Sequence, residues 1–317
     1  MLNRRFLRVK ALQELYAYHQ SNSGNLPQAE RHLLEEVDDL YKLFVYQLSF
    51  WVEVKLFAER RIEENRNKLL PTEEDLNPNL KFVNNRVLNA LEENKHLRSL
   101  EGKYKISWAD AREDFIRSFF VRMTESPEYK EYMDGEKDTF NADKHFLVTV
   151  VENYFADDTL LYDYYSDRDL SFNGDYQIAV YLLWKFLNEM TASFDATTKL
   201  PPVYRDEDED KEFVVKLFEK TILHADEYRE LVKANISNWD YDRLALMDKI
   251  LIFMALTEFT EFHAIPVKVT INEYIEISKF YSTPESRRFV NGMLDRLSTL
   301  LKEEGKIVKT GLGVIDK

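Results

Sequence analysis

Only eight glycines and eight prolines stand in a chain of 317 residues. That scarcity limits what the chain can fold into more than any motif does, because these two residues are the strongest local breakers of regular structure. With 32% charged and 44% hydrophobic residues, the pattern predicts long amphipathic helices joined by few loops, an all-α fold. The length allows about two domains with a sizeable core. Leu33, Val37, Leu40, Phe44, Leu48 and Trp51 recur in steps of three and four, the spacing of a packed helical seam that Leu70-Pro71 should end.

Ahead of that seam, Asn3 is placed to cap a first helix running to about Gln20, ended by the polar stretch 21–25. Beyond it, Trp108, Phe115, Phe119 and Phe120 head a further helix broken at Ser126-Pro127 and again near Gly135. Residues 197–210, with Pro201-Pro202 and an acidic run from Asp206 to Asp210, read as the clearest linker. The patterns over 146–187 and 213–256 echo each other as helix, acidic turn and strongly apolar helix. That is either a distant duplication or the ordinary likeness of two core hairpins.

Near the C-terminal end, Pro266 disfavours a helical Ile265, and Thr270 with Glu273 three residues later has the form of a capping box, which predicts a helix over 271–280. Ser282 or Thr283 then caps a second helix with Pro284 at its first position. Phe289, Val290, Met293, Leu294 and Leu297 form its buried face, and Gly292 within it suggests a close backbone crossing. Residues 306–317 read as a basic, mobile tail.

The chemistry that is missing narrows the function. Absence of cysteine removes disulfides, thiolate metal sites and cysteine nucleophiles. Gly102-Lys103 and Gly305-Lys306 lack the rest of a phosphate loop, and Glu93-x-x-His96 has no second copy to complete a metal set. The carboxylates are too many for one acid/base pair to stand out. The expectation is a non-enzyme without a cofactor. No apolar run reaches a membrane span, and a cytoplasmic setting fits. The net charge of −14 argues against nucleic acid in general, yet Arg4, Arg5, Arg8 and Lys10 make one purely cationic segment. Clustered cations of this kind suit phosphates, or they form a solvated helix face.

Val269-x-Ile271-Asn272-Glu273, followed by Phe289-Val290-Asn291-Gly292-x-Leu294-Asp295, resembles the NusB family of transcription antitermination factors. Asp242–Lys249, Ala255–Phe259 and Ile265-Pro266 look like its preceding helix and turn, and Asn3–Arg8 with Ala11–Tyr16 resembles its basic first helix. Where the family often carries Arg, Phe253 stands here. The resemblance implies a NusB-like helical bundle built from both chain ends, with additional inserted helices. The expected organisation is a first helix over 1–20, an inserted helical region and acidic linker over 21–210, a C-terminal core over 211–305 and a tail over 306–317. It also implies single-stranded, boxA-like RNA as ligand, NusE (a ribosomal protein of the small subunit) as partner, and the transcription elongation complex as setting. Arg4, Arg5, Arg8 and Lys10 would then bind RNA from an exposed helix edge, with Arg287 and Arg288 extending that surface. Tyr16, Asp242 and Asp248 stand where the family places partner contacts. Two rivals remain: a helical interaction scaffold without RNA binding, and a module related to ribosomal RNA methyltransferases, which the lack of cysteine disfavours.

Overall fold

The computed structural model describes residues 2–21, 24–236 and 240–314, and no strand occurs among them. The chain is all-α. It forms two compact units, one from Met1–Val37 with Val203–Lys317 and the other from Asp38–Pro202. The first unit opens with α1 (Arg4–Ser21), whose start is capped by Asn3 Oδ1 accepting from the N–H groups of Arg5 and Phe6. Next comes α2 (Leu26–Arg66), one helix whose residues to Val37 belong to the first unit and the rest to the second.

The second unit adds α3 (Glu73–Leu76), α4 (Arg86–Glu93), α5 (Lys95–Tyr104), α6 (Arg117–Glu125), α7 (Pro127–Asp134), α8 (Phe140–Val150), α9 (Thr159–Arg168) and α10 (Phe172–Glu189). Its core is aromatic. Phe50 of α2 meets Phe119 of α6 with ring centroids 4.8 Å apart, and Trp51 stacks on Phe155 at 5.6 Å. Phe115 and Phe155 both lie in short π-helical turns, Arg112–Ile116 and Val151–Phe155. Buried Asp143 binds the unit's parts together, accepting from Arg86 Nη1, the Arg86 backbone N–H and the Tyr132 hydroxyl. His96 is likewise structural, its Nδ1 accepting the Leu200 N–H at 2.9 Å.

The first unit is completed by α11 (Glu207–Leu223), α12 (Ala225–Asn235), a 3-10 turn at Tyr241–Arg243, α13 (Leu246–Glu261), α14 (Val267–Tyr281) and α15 (Pro284–Glu303). Every residue of α13 from Ile250 to Phe259 is buried, so it is the central helix, surrounded by α1, α11, α14 and α15.

Three local expectations need correction. Helix α14 begins at Val267, with Pro266 in extended conformation before it, so the predicted capping box does not exist. Thr270 lies inside the helix and donates to Glu258 Oε1 at 3.2 Å. The next start does follow its signals, with Thr283 Oγ1 accepting from Ser286 N and Pro284 at the first position. Gly292 faces solvent, a Cβ there would meet nothing within 4 Å, and Phe289 is only half-buried. No close crossing occurs at that glycine. The third correction is the tail, which is docked through residue 314. Lys309 Nζ donates to the carbonyls of Glu258 and Phe262 at 3.0 and 2.9 Å, supplying partners for the open C-terminal end of α13. Thr310 N donates to His263 O, and Gly313 sits where a Cβ would fall 2.1 Å from that same carbonyl.

Candidate nucleic-acid interface

Two side-chain contacts fix how α1 lies on α14. Arg5 Nε and Nη2 donate to Glu273 Oε2 and Oε1, both at 2.8 Å, and Gln13 Nε2 donates to the Tyr281 hydroxyl at 3.2 Å. Both pairs are offset by 268 residues, so the helices run parallel in a constant register over about 12 Å. Beyond their shared end, the connection from Tyr281 to Pro284 turns into α15.

The four cations of the first helix divide into two pairs. Arg4 is exposed, loosely paired to Glu209 and Asp210 at 3.6 and 3.7 Å, with its guanidinium over the Phe213 ring. Arg5 is 43% exposed. Its pKa is raised by the Glu273 hydrogen bonds. Burial alone would raise the Glu273 carboxyl, but the hydrogen bonds from Arg5 and the charges of Arg8 and Arg5 outweigh it and hold that group low.

Arg8 and Lys10 do not stand on an exposed edge. Arg8 is 3% exposed, its Nε and Nη2 bound to the fully buried Glu258 at 2.5 and 2.7 Å, with Glu273 at 3.8 Å beyond. Burial acts to lower the Arg8 pKa, and the Glu258 charge and hydrogen bonds overturn that and raise it. Lys10 is also buried, with Nζ 2.8 Å from Glu36 Oε2. Both lie on the inner side of α1 with Leu7, Ala11 and Leu15, where a charge survives only with a partner.

Arg287 and Arg288 lie in the first turns of α15, half-buried and exposed respectively, and neither meets a carboxylate among the described residues. Tyr16 is 38% exposed at the far end of α1. Asp242 is exposed in the 3-10 turn before α13. Asp248 is different: it is buried, and Ser282 Oγ donates to its Oδ1 at 2.5 Å. That carboxylate ties the start of α13 to the α14–α15 connection and is not on the surface. Phe253, at the position of the family's Arg, is buried against Tyr228.

Sequence reasoning missed Glu258, Glu273 and Phe280. Glu258 had a signal: a carboxylate set between the apolar run 250–256 and Phe259 on a helix that is otherwise buried demands a buried cation. Phe280, 84% exposed next to the end of α14, had a fainter one. It falls off the face that Val267, Thr270, Ile271, Tyr274, Ile277 and Ser278 bury. No group of three metal-ligating side chains occurs among the described residues, and no helix among them is long and apolar enough to cross a membrane.

Residues 181–299 match the family model described as NusB family. Among curated proteins, the transcription antitermination protein NusB of Salinibacter ruber is 39% identical over 134 residues, 41% of this chain and 83% of that protein. The NusB protein of Chloroherpeton thalassium is 37% identical over 106 residues, covering 33% of this chain and 50% of that one. The protein of the same name from Methylacidiphilum infernorum is 39% identical over 97 residues, 31% of this chain and 66% of its own length. No solved structure matches.

Proposed function

The chain belongs to the NusB family, and we propose that it acts in ribosomal RNA transcription as an antitermination factor that binds boxA-like single-stranded RNA together with NusE. It would do so within the transcription elongation complex, in the cytoplasm, without catalysis. The observation that supports the reading is the pairing of α1 with α14: exposed Arg5 lies beside Glu273 at one end of the shared face, with Arg4 on the α11 side, and the other end, at Gln13 and Tyr281, meets the connection that leads to Arg287 and Arg288. Arg8 and Lys10 support that face from inside. Tyr16 and Asp242 remain available to a protein partner, and Asp248 holds the corner in shape. A body at −14 repels RNA at long range, so binding is local, salt-sensitive and assisted by a basic partner.

One observation favours the scaffold reading. Arg4, Arg5, Arg8 and Lys10 each have a carboxylate beside them, so RNA must compete with the protein's own acids for Arg4 and Arg5. Fluorescence anisotropy with boxA RNA and NusE, repeated across salt concentrations, separates the two readings. Single-strand binding loses about 0.7 in log–log salt slope for each phosphate contact removed. Replacing Arg4, Arg5, Arg287 and Arg288 by Gln should therefore flatten the slope by between about 2 and 3. An unchanged slope and affinity would leave the scaffold.

A further inference from the structure

We propose that Phe280 is a stacking platform for one unpaired base, and that it makes the α1/α14 face select single strands over duplex. The proposal rests on the RNA-binding reading above and names the residue that would give it selectivity. Phe280 is 84% exposed, whereas the next Phe, Tyr or Trp in order of exposure among the described residues, Tyr181, is 45% exposed. A lone exposed apolar side chain is ordinary on a protein surface, so exposure alone decides nothing.

The surroundings decide it. Phe280 is the last residue but one of α14, and Arg287 is the fourth of α15, so the two residues flank the same two-residue connection. Over residues 280–288, Arg287 and Arg288 stand against a single acid, Glu285, in a chain whose net charge is −14, and Lys279 just before them is paired with Glu276. The parallel register sets Phe280 level with Leu12, and Tyr16 one turn further toward the corner. A flat apolar ring one short connection away from Arg287 and Arg288, which meet no carboxylate among the described residues, is what an unpaired nucleotide requires, one group for the base and one for the phosphate. A duplex keeps its bases stacked inside and gains nothing from the ring. A basic protein segment would be repelled by the same arginines, so the charge of the corner favours nucleic acid over a protein like NusE at this spot.

The test uses the full chain, an unstructured RNA of roughly twelve nucleotides, its duplex, and a series carrying one abasic position each. The wild type should prefer the single strand and lose about tenfold in affinity at one abasic position. Phe280→Ala should lose about tenfold on the intact RNA, become indifferent at that same position and melt like the wild type, and Phe280→Trp should restore binding. If Phe280→Ala binds the intact strand as tightly as wild type, or still loses affinity at the same abasic position, the platform is refuted while RNA binding stands. A wild type that binds none of these probes, with Arg287→Gln and Arg288→Gln equally silent, removes the RNA reading and the platform together.

Discussion

Arg8 and Glu258, 250 residues apart in sequence, meet in a bidentate ion pair at 2.5 and 2.7 Å from which water is almost wholly excluded. Removing one member of such a pair strands the other charge in the core. Arg8→Gln should therefore cost about 3–5 kcal/mol in denaturant unfolding, far above the ~0.2–1 kcal/mol of an exposed pair. Replacing both by apolar residues of similar volume should recover much of the loss. A single variant that unfolds like the wild type would show that the pair is hydrated in solution.

Asp248 gives a sharper stability test than a binding test. An exposed docking acid would tolerate Lys with no change in melting, but a buried carboxylate holding the Ser282 hydroxyl would not. Asp248→Lys should cost about 3 kcal/mol or more, and Ser282→Ala about 1–3 kcal/mol. Thermal melts of both variants check this, and they must precede any partner titration of the Lys variant.

Gly292 offers the opposite sign. It lies on the solvent face of α15 with open space where a Cβ would stand, so Gly292→Ala gains helix propensity without a clash. The variant should be more stable by up to about 1 kcal/mol. A destabilised Ala variant would mean that another surface covers this face in solution.

The pair of His32 and Glu14, 2.5 Å apart, should make stability depend on pH. Burial lowers the His32 pKa by itself, but the Glu14 hydrogen bond and charge, with the charges of Glu36 and Glu35, raise it above 6.5. Burial also raises the Glu14 carboxyl above 4.5, against the opposing pull of His32. A group that holds its proton more tightly when folded stabilises most below its unfolded value and loses that contribution as pH rises through its folded value. The denaturation midpoint should thus fall between about pH 6 and pH 8, and His32→Gln should flatten that part of the profile.

The fold class was legible because it depends on periodicity and punctuation, which are local. Asn3, Thr283 and Pro284 act as their types predict. Thr270 and Glu273 have the spacing of a cap and fail to be one, because Pro266 already starts the helix and both side chains serve contacts with α13 and α1. The cationic segment was visible, but its division into an exposed pair, Arg4 and Arg5, and an inner pair, Arg8 and Lys10, was not. That division depends on which carboxylates other helices bring, and Glu258 and Glu273 lie some 250 residues downstream. Lys309 shows the same limit: a lysine in a glycine-containing tail reads as mobile until the carbonyls it caps are in place.

That the three arginines of α1 find their acids in α11, α13 and α14 also orders events during synthesis. At about 5–20 residues per second, Arg8 is synthesised roughly 12–50 seconds before Glu258 exists to receive it. For much of that interval the arginines of the first helix are without their acids, while Lys10 has Glu36 only 26 residues on, and the unit over 38–202 is completed meanwhile. Chains truncated or stalled before α13 would keep Arg8 open to polyanions, so a nascent chain should bind RNA less selectively than the finished protein does.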